Sequence, residues 1–296
     1  MEKFLKIKSF FLLFLCALCW GPSYLFIKIA VPTIPPLTLV FLRTAIATLV
    51  LYGLCCLQKT QIFNWRKNGK HYAILGITLN AVPFYLISYG ELYITSSLAG
   101  ILNSLTLIFT ATLAHFFAKE PFTKNKIIGI LSGIIGLCII YLPLVFQQRK
   151  DSELGALMII LACLSYGIGT VYARTHLHNV PSIITLTAQL SIATAIVLPF
   201  ALLIEHPYRL AFPPMPALLG AIGLGVLGTA AGFLFFYKAL QIAGATYASL
   251  SVLLVPIFAM ILGSVILQEH LTGNVYLGAF FILAGVLSVN PLLNKK

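Results

Sequence analysis

Ten apolar stretches fill nearly all of this 296-residue chain, at 10–31, 36–57, 72–92, 95–118, 126–146, 154–175, 182–204, 216–238, 245–267 and 273–293. Each exceeds the roughly 20 residues needed to cross the hydrocarbon of a bilayer at about 1.5 Å per residue. Charged residues make up 9% of the chain and hydrophobic ones 60%, whereas a soluble domain carries roughly 25% charged residues. So few charges cannot coat a soluble surface of this size. The expectation is an all-α membrane protein with ten transmembrane helices.

The stretches repeat. Glu120-Pro121-Phe122-Thr123 is echoed 149 residues later by Glu269-His270-Leu271-Thr272, and at the same offset Asn125, Gly129 and Gly136 fall on Asn274, Gly278 and Gly285. Earlier in the halves the offset is 146: Trp20-Gly21 falls on Tyr166-Gly167, Lys28 on Arg174, Pro35 on Pro181 and Arg43 on Gln189. The chain therefore divides into a five-helix unit at 1–146, a short polar linker at 147–153 and a second five-helix unit at 154–296.

Net charge is +12, and the cations sort by side rather than forming a nucleic-acid footprint. With the N-terminus inside, the inner set is Lys3, Lys6, Lys8, Lys59, Arg66, Lys67, Lys70, Lys119, Lys124, Lys126, Arg174, Lys238, Lys295 and Lys296. The outer set is Arg149, Lys150 and Arg209. Fourteen against three places both termini in the cytoplasm, because positive charge is retained on that side. A unit of five spans is odd, so the second copy must be inverted in the membrane, which is a transporter architecture. The basic start followed by an apolar run imitates a signal peptide, but it lacks a small-x-small cleavage site and is kept as the first span.

Several residues within the spans are too polar to face lipid. Trp20, Tyr24, Tyr85, Asn103, Tyr166, Gln189 and Tyr247 are expected to border one central space near the midplane, where inverted repeats place their sites. Pro22 should kink the first span. Arg43 lies deep in the second span; its planar fork suits a substrate carboxylate or phosphate, and the competing expectation is a structural pair with Glu91 or backbone carbonyls. Lys28, near a span end, can snorkel to water. Thr123 and Thr272 are placed to cap the helices that follow them. Glu120 and Glu269 sit just before, where a carboxylate favours a helix N-terminus; all four are read as structural.

No catalytic set, metal site or cofactor motif is expected. The six cysteines fall in spans without metal spacing, and His176-x-His178 has no third ligand nearby in sequence. A phosphate-binding glycine loop followed by Lys-Ser/Thr is missing, which argues against ATP hydrolysis. The leading expectation is a secondary transporter of a small metabolite, working by alternating access and driven by a proton or exchange gradient. Its partners would be that solute and the lipid bilayer. A channel and an intramembrane enzyme are the alternatives.

Trp20-Gly21, Phe41-Leu42-Arg43, Glu120-Pro121-Phe122-Thr123 with Gly129 and Gly136, and their echoes together resemble the drug/metabolite transporter superfamily. Within it, the chain is similar to bacterial ten-span transporters with two EamA-type domains. The resemblance implies an inner-membrane carrier with inverted repeats and a central cavity, exporting amino acids or other small metabolites. One departure is Leu107, where the resemblance implies a proline in the fourth span to match Pro256 in the ninth; strictly symmetric gating is therefore not expected.

Overall fold

The computed structural model describes residues 2–59, 65–94, 96–121, 123–145, 152–266 and 273–289, and these form helices and turns without a strand. The first stretch is split into α1 (Glu2–Trp20) and α2 (Ser23–Ala30) at Gly21-Pro22, where proline has no N–H to continue the ladder. Helix α3 (Pro36–Leu57) begins on a proline, at the position where a missing N–H is harmless. The third stretch runs α4 (Trp65–Leu75), a π-helical segment (Gly76–Ala81) and α5 (Val82–Gly90). The fourth breaks into α6 (Ser96–Asn103) and α7 (Thr106–Phe117), and α8 (Lys124–Val145) closes the first half.

The second half repeats the order with α9 (Ser152–His176) and α10 (Ser182–Phe200). Then come α11 (Met215–Gly223), a π-helical segment (Leu224–Ala231) and α12 (Gly232–Ala243). The ninth stretch breaks into α13 (Ala245–Ser249) and α14 (Ser251–Ile266), and α15 (Gly273–Val289) is last. Among the described residues, six continuous helical stretches are long and apolar enough to cross a membrane, from Phe10–Ala30 to Met215–Ala243. Shorter apolar helices accompany them at Thr106–Phe117, Ala245–Phe258 and Tyr276–Gly285.

Large apolar side chains face outward, and polar ones are buried within an otherwise apolar core. Leu49 is 72% exposed and Phe280 66%, while Asn80, Thr110, Gln189 and Thr229 are fully buried. A surface of this kind is stable against lipid tails.

Contacts between helices survive exchange of the halves. Helix α1 packs on α12 and α14, and its counterpart α9 packs on α5 and α7; α3 lies on α10, and α8 on α15. The glycines read from the repeat make the last crossing reciprocal. A Cβ on Gly136 would stand 2.5 Å from the Gly278 carbonyl oxygen, and one on Gly285 would stand 2.6 Å from that of Gly129. Likewise, Gly76 lies against the Gln189 carbonyl and Gly225 against that of Arg43. Such contacts need backbones closer than any side chain permits.

Of the three π segments among the described residues, the third being Ala201–Glu205 after α10, those at Gly76–Ala81 and Leu224–Ala231 occupy equivalent places in α4–α5 and α11–α12. A π turn disturbs the regular ladder, and in lipid the carbonyls it frees need donors from neighbouring helices. Trp20 Nε1 donates to the Gly228 carbonyl at 3.0 Å, and Ser165 Oγ to that of Thr78 at 2.8 Å. Helix ends are closed in the same paired manner. Lys28 Nζ donates to the carbonyls of Glu91 and Ile94 beyond α5, and Arg174 Nη1 to those of Leu240 and Gln241 in α12. Lys28 is thus exposed yet bound to a helix C-terminus, where a cation suits the dipole.

One expectation holds and one needs correction. Thr123 Oγ1 accepts from the Lys126 N–H at 3.3 Å and caps α8. Glu120 instead reaches across the molecule: its carboxylate accepts from the N–H groups of Ala245 at 2.6 Å and Thr246 at 3.3 Å, at the start of α13. The free donors there follow Gly244, whose φ of +92° ends α12, and they attract an acceptor. Glu269 and Thr272 lie outside the described residues, as does most of the 147–153 linker. Leu107 stands in α7 where α14 has Pro256, yet the two stretches are broken alike. The fourth and ninth stretches are both interrupted, through three-residue-spaced bonds such as Leu105 N–H to Leu102 and Leu250 N–H to Tyr247. Pro256 sits inside α14, away from the break.

Candidate functional site

Beside the π segments at Gly76–Ala81 and Leu224–Ala231 lies a cavity of about 60 Å³, room for roughly four waters at 10–15 Å³ each. Both halves build it. Trp20, Ser23, Tyr24, Arg43, Phe84, Asn103 and Thr106 come from the first, and Tyr166, Thr170, Phe233, Phe236, Ser249 and Val252 from the second.

The break at Gly21-Pro22 turns Trp20, Ser23 and Tyr24 onto this space. Trp20 is fixed by its bond to Gly228 and by ring contacts with Phe233 and Phe236, at 5.3 and 5.4 Å between centroids. Arg43 is 4% exposed. Its Nε and Nη2 donate to Thr229 Oγ1, and its Cζ lies 3.6 Å from the centre of the Phe84 ring. Nη1 makes no hydrogen bond to the described residues, so part of the fork is open to an acceptor in the cavity. The ring quadrupole stabilises a cation without neutralising it. The Ser23 and Ser249 hydroxyls, one from each half, are buried without a hydrogen-bond partner among the described residues, a cost that a polar solute can relieve. The cavity thus offers one cation without an ion-pair partner among the described residues, several hydroxyls including the unpartnered Ser23 and Ser249, and aromatic walls, a combination suited to a small amphipathic anion or zwitterion.

The sequence-predicted residues separate into two groups. Trp20, Tyr24, Arg43, Asn103 and Tyr166 line the same cavity. Tyr85, Gln189 and Tyr247 do not. Tyr85 is half-buried and starts a ladder with Tyr89 and Tyr93, at 5.7 and 5.5 Å between successive centroids. The face of α5 that meets the cavity carries Phe84 and Ile87, around the helix from Tyr85. Gln189 is buried, and its Oε1 accepts from the Tyr237 hydroxyl at 2.6 Å. Tyr247 is buried in α13, where Ser249 is the residue on the cavity. Arg43 is not paired with Glu91: no ion pair joins them, and both Glu91 oxygens are buried without a hydrogen bond among the described residues.

Thr229 was not evident as the partner of Arg43. The half-chain offset of 149 could have pointed to it, because Thr229 falls on Asn80, a polar residue of the equivalent π segment. Phe84 and Phe233 carry no sequence signal, because a phenylalanine in an apolar span looks the same on a lipid face and on a cavity face.

The sequence pattern of the EamA-like transporter family matches residues 7–142 and again residues 153–290. The chain is 24% identical over 269 residues to a Bacillus subtilis protein named "Uncharacterized transporter YoaV", covering 91% of this chain and 92% of that one. It is 27% identical over 280 residues to an "Uncharacterized transporter" of Archaeoglobus fulgidus, covering 94% and 97%. It is 26% identical to "Protein PagO" of Salmonella typhimurium over 256 residues, covering 86% and 84%. A solved structure described as "Crystal structure of protein" has the same fold, with a TM-score of 0.77, 16% identity and 96% of both chains covered.

Proposed function

Because the chain belongs to the EamA-like transporter family, we propose that it is a secondary carrier that exports a small carboxylate-bearing metabolite, such as an amino acid or a derivative, by alternating access. The observation that carries this reading is the cavity built jointly by the two halves around Arg43. A carboxylate would take the open edge of the guanidinium, the Ser23 and Ser249 hydroxyls would hold a second polar group, and Trp20, Tyr24, Tyr166, Phe233 and Phe236 would cover the apolar body. In this reading residues 1–146 and 154–296 are two inverted five-helix units of a ten-span protein. The reciprocal crossing of α8 and α15 and the duplicated π segments support it, because two halves related by a two-fold axis bury the same surface twice. The chain would lie in the cytoplasmic membrane with both termini inside, as the fourteen-to-three division of cations implies.

Counterflow in proteoliposomes tests the proposal. Vesicles containing the purified chain and preloaded with an unlabelled amino acid or carboxylate should accumulate its labelled form, with saturation and competition by related solutes. Conductance without saturation would indicate a channel instead, and conversion of the solute an enzyme.

A further inference from the structure

Glu91 follows the apolar stretch Arg66–Gly90 directly, and the cavity does not use it. Its side chain has no exposed surface, and both carboxylate oxygens are buried without a hydrogen-bond donor among the described residues. A carboxylate left in that condition is among the costliest groups a protein can bury, and it takes up a proton instead. Two cations act on it across space, Lys28 from α2 and Arg43 from α3. Both are committed elsewhere: Lys28 to the backbone carbonyls of Glu91 and Ile94, Arg43 to Thr229. The remaining titratable group near it is Tyr24 of α2, on the cavity wall. From α9, packed on the other side of this turn, Gly155, Met158 and Ile159 meet Gly90.

From this arrangement we propose that Glu91 is a proton-binding site that couples transport to the proton gradient. The proposal rests on the carrier reading above and supplies its coupling ion. The linkage runs through Arg43. An ionised Glu91 offsets the field of the guanidinium in the cavity, whereas a neutral Glu91 leaves that charge whole for an anionic cargo. Protonation and anion binding therefore favour each other, and by reciprocity a bound anion holds the proton on Glu91. Anion and proton cross together. An accumulated acid leaving the cell carries a proton out with it, and the only bond that forms and breaks is the O–H bond of the Glu91 carboxyl, made from a proton on one side of the membrane and released to water on the other.

The experiment uses the full chain in lipid vesicles and has two readouts. Infrared difference spectra across a pH jump should contain the carbonyl band of a buried neutral carboxylic acid, shifted in heavy water and lost in Glu91→Gln. In the second, flux of labelled L-phenylalanine, L-threonine and pyruvate is followed with and without an imposed pH gradient. Any probe the wild type carries should respond to the gradient by about tenfold, and Glu91→Gln should abolish that response and flatten the pH dependence of counterflow. Glu91→Asp, which keeps an acid, should retain both. Absence of the carbonyl band overturns the proposal, as does a Glu91→Gln protein whose flux follows the pH gradient as the wild type does. Failure of the wild type to carry any solute overturns the carrier reading, whatever the infrared band shows.

Discussion

The Arg43 guanidinium and the Thr229 hydroxyl join the two halves beside the cavity, with Nε and Nη2 donating to one oxygen at 3.2 and 3.1 Å. Thr229 itself donates to the Leu224 carbonyl at 2.8 Å, inside the π segment of the eighth stretch. The deepest cation is therefore held by a turn of irregular helix rather than by an acid.

Arg43→Lys keeps the charge and loses the fork. Membrane levels of the protein should match the wild type, and the apparent affinity in counterflow should fall about tenfold, the loss expected for hydrogen bonds to a charged group. Wild-type affinity in this variant would reduce Arg43 to a structural role.

Thr229→Val removes the acceptor at nearly constant volume. The guanidinium then remains buried with its donors unanswered, at a cost of about 1–3 kcal/mol. A lower thermal midpoint in detergent, restored by Thr229→Ser, is the expected result.

Glu120 ties the turn before α8 to the start of α13 and also meets Lys126 Nζ at 3.3 Å. Burial raises the tendency of its carboxyl to hold a proton, but hydrogen bonds from Thr246 and Ala245 and the charge of Lys126 prevail, so it titrates below the ordinary carboxylate range. The folded protein thus favours the charged form more than the unfolded chain does. The stabilisation is complete above the unfolded pKa of roughly 4.3 and is lost as pH falls through the lower folded value. Glu120→Gln should cost about 1 kcal/mol at neutral pH, as loss of a helix cap does. The gap from wild type should close at low pH in melting experiments; a gap that widened there would contradict the assignment.

Gly136→Ala puts a methyl 2.5 Å from the backbone oxygen of Gly278 and 3.0 Å from the Ile282 nitrogen, atoms that cannot turn aside. Helix α8 must then separate from α15, at a cost of about 1–3 kcal/mol. Gly53→Ala in α3 has nothing within 4 Å to meet, and should be neutral or stabilising by up to about 1 kcal/mol. Equal melting of the two variants would refute the close crossing as a stabilising contact.

Reporter fusions test the inverted arrangement. A periplasm-active reporter inserted at residues 147–153 should be active, and one at either terminus silent. Activity at a terminus, with silence at the linker, would reverse the charge-based orientation.

Sequence alone determined the class of this molecule and its division in two. Lipid tolerates few charges, so 9% charged residues in long apolar runs leave little choice but helices in a membrane. Duplicated motifs survive in the chain wherever both halves need the same backbone approach, as Gly129 with Gly278 and Gly136 with Gly285 do. Polar and aromatic residues flanking a proline break, such as Trp20 and Tyr24, were legible as cavity candidates because a disturbed helix in lipid needs a protein-lined space. Only the tertiary structure decided which acceptor each donor meets. Glu120 caps a helix 125 residues away, Arg43 rests on Thr229 from the other half, and Tyr85 turns away from the cavity that Phe84 enters. Helical periodicity fixes which residues share a face, but the direction of that face depends on its neighbours. In an apolar chain the lipid face and the core face use the same amino acids, so only packing distinguishes them.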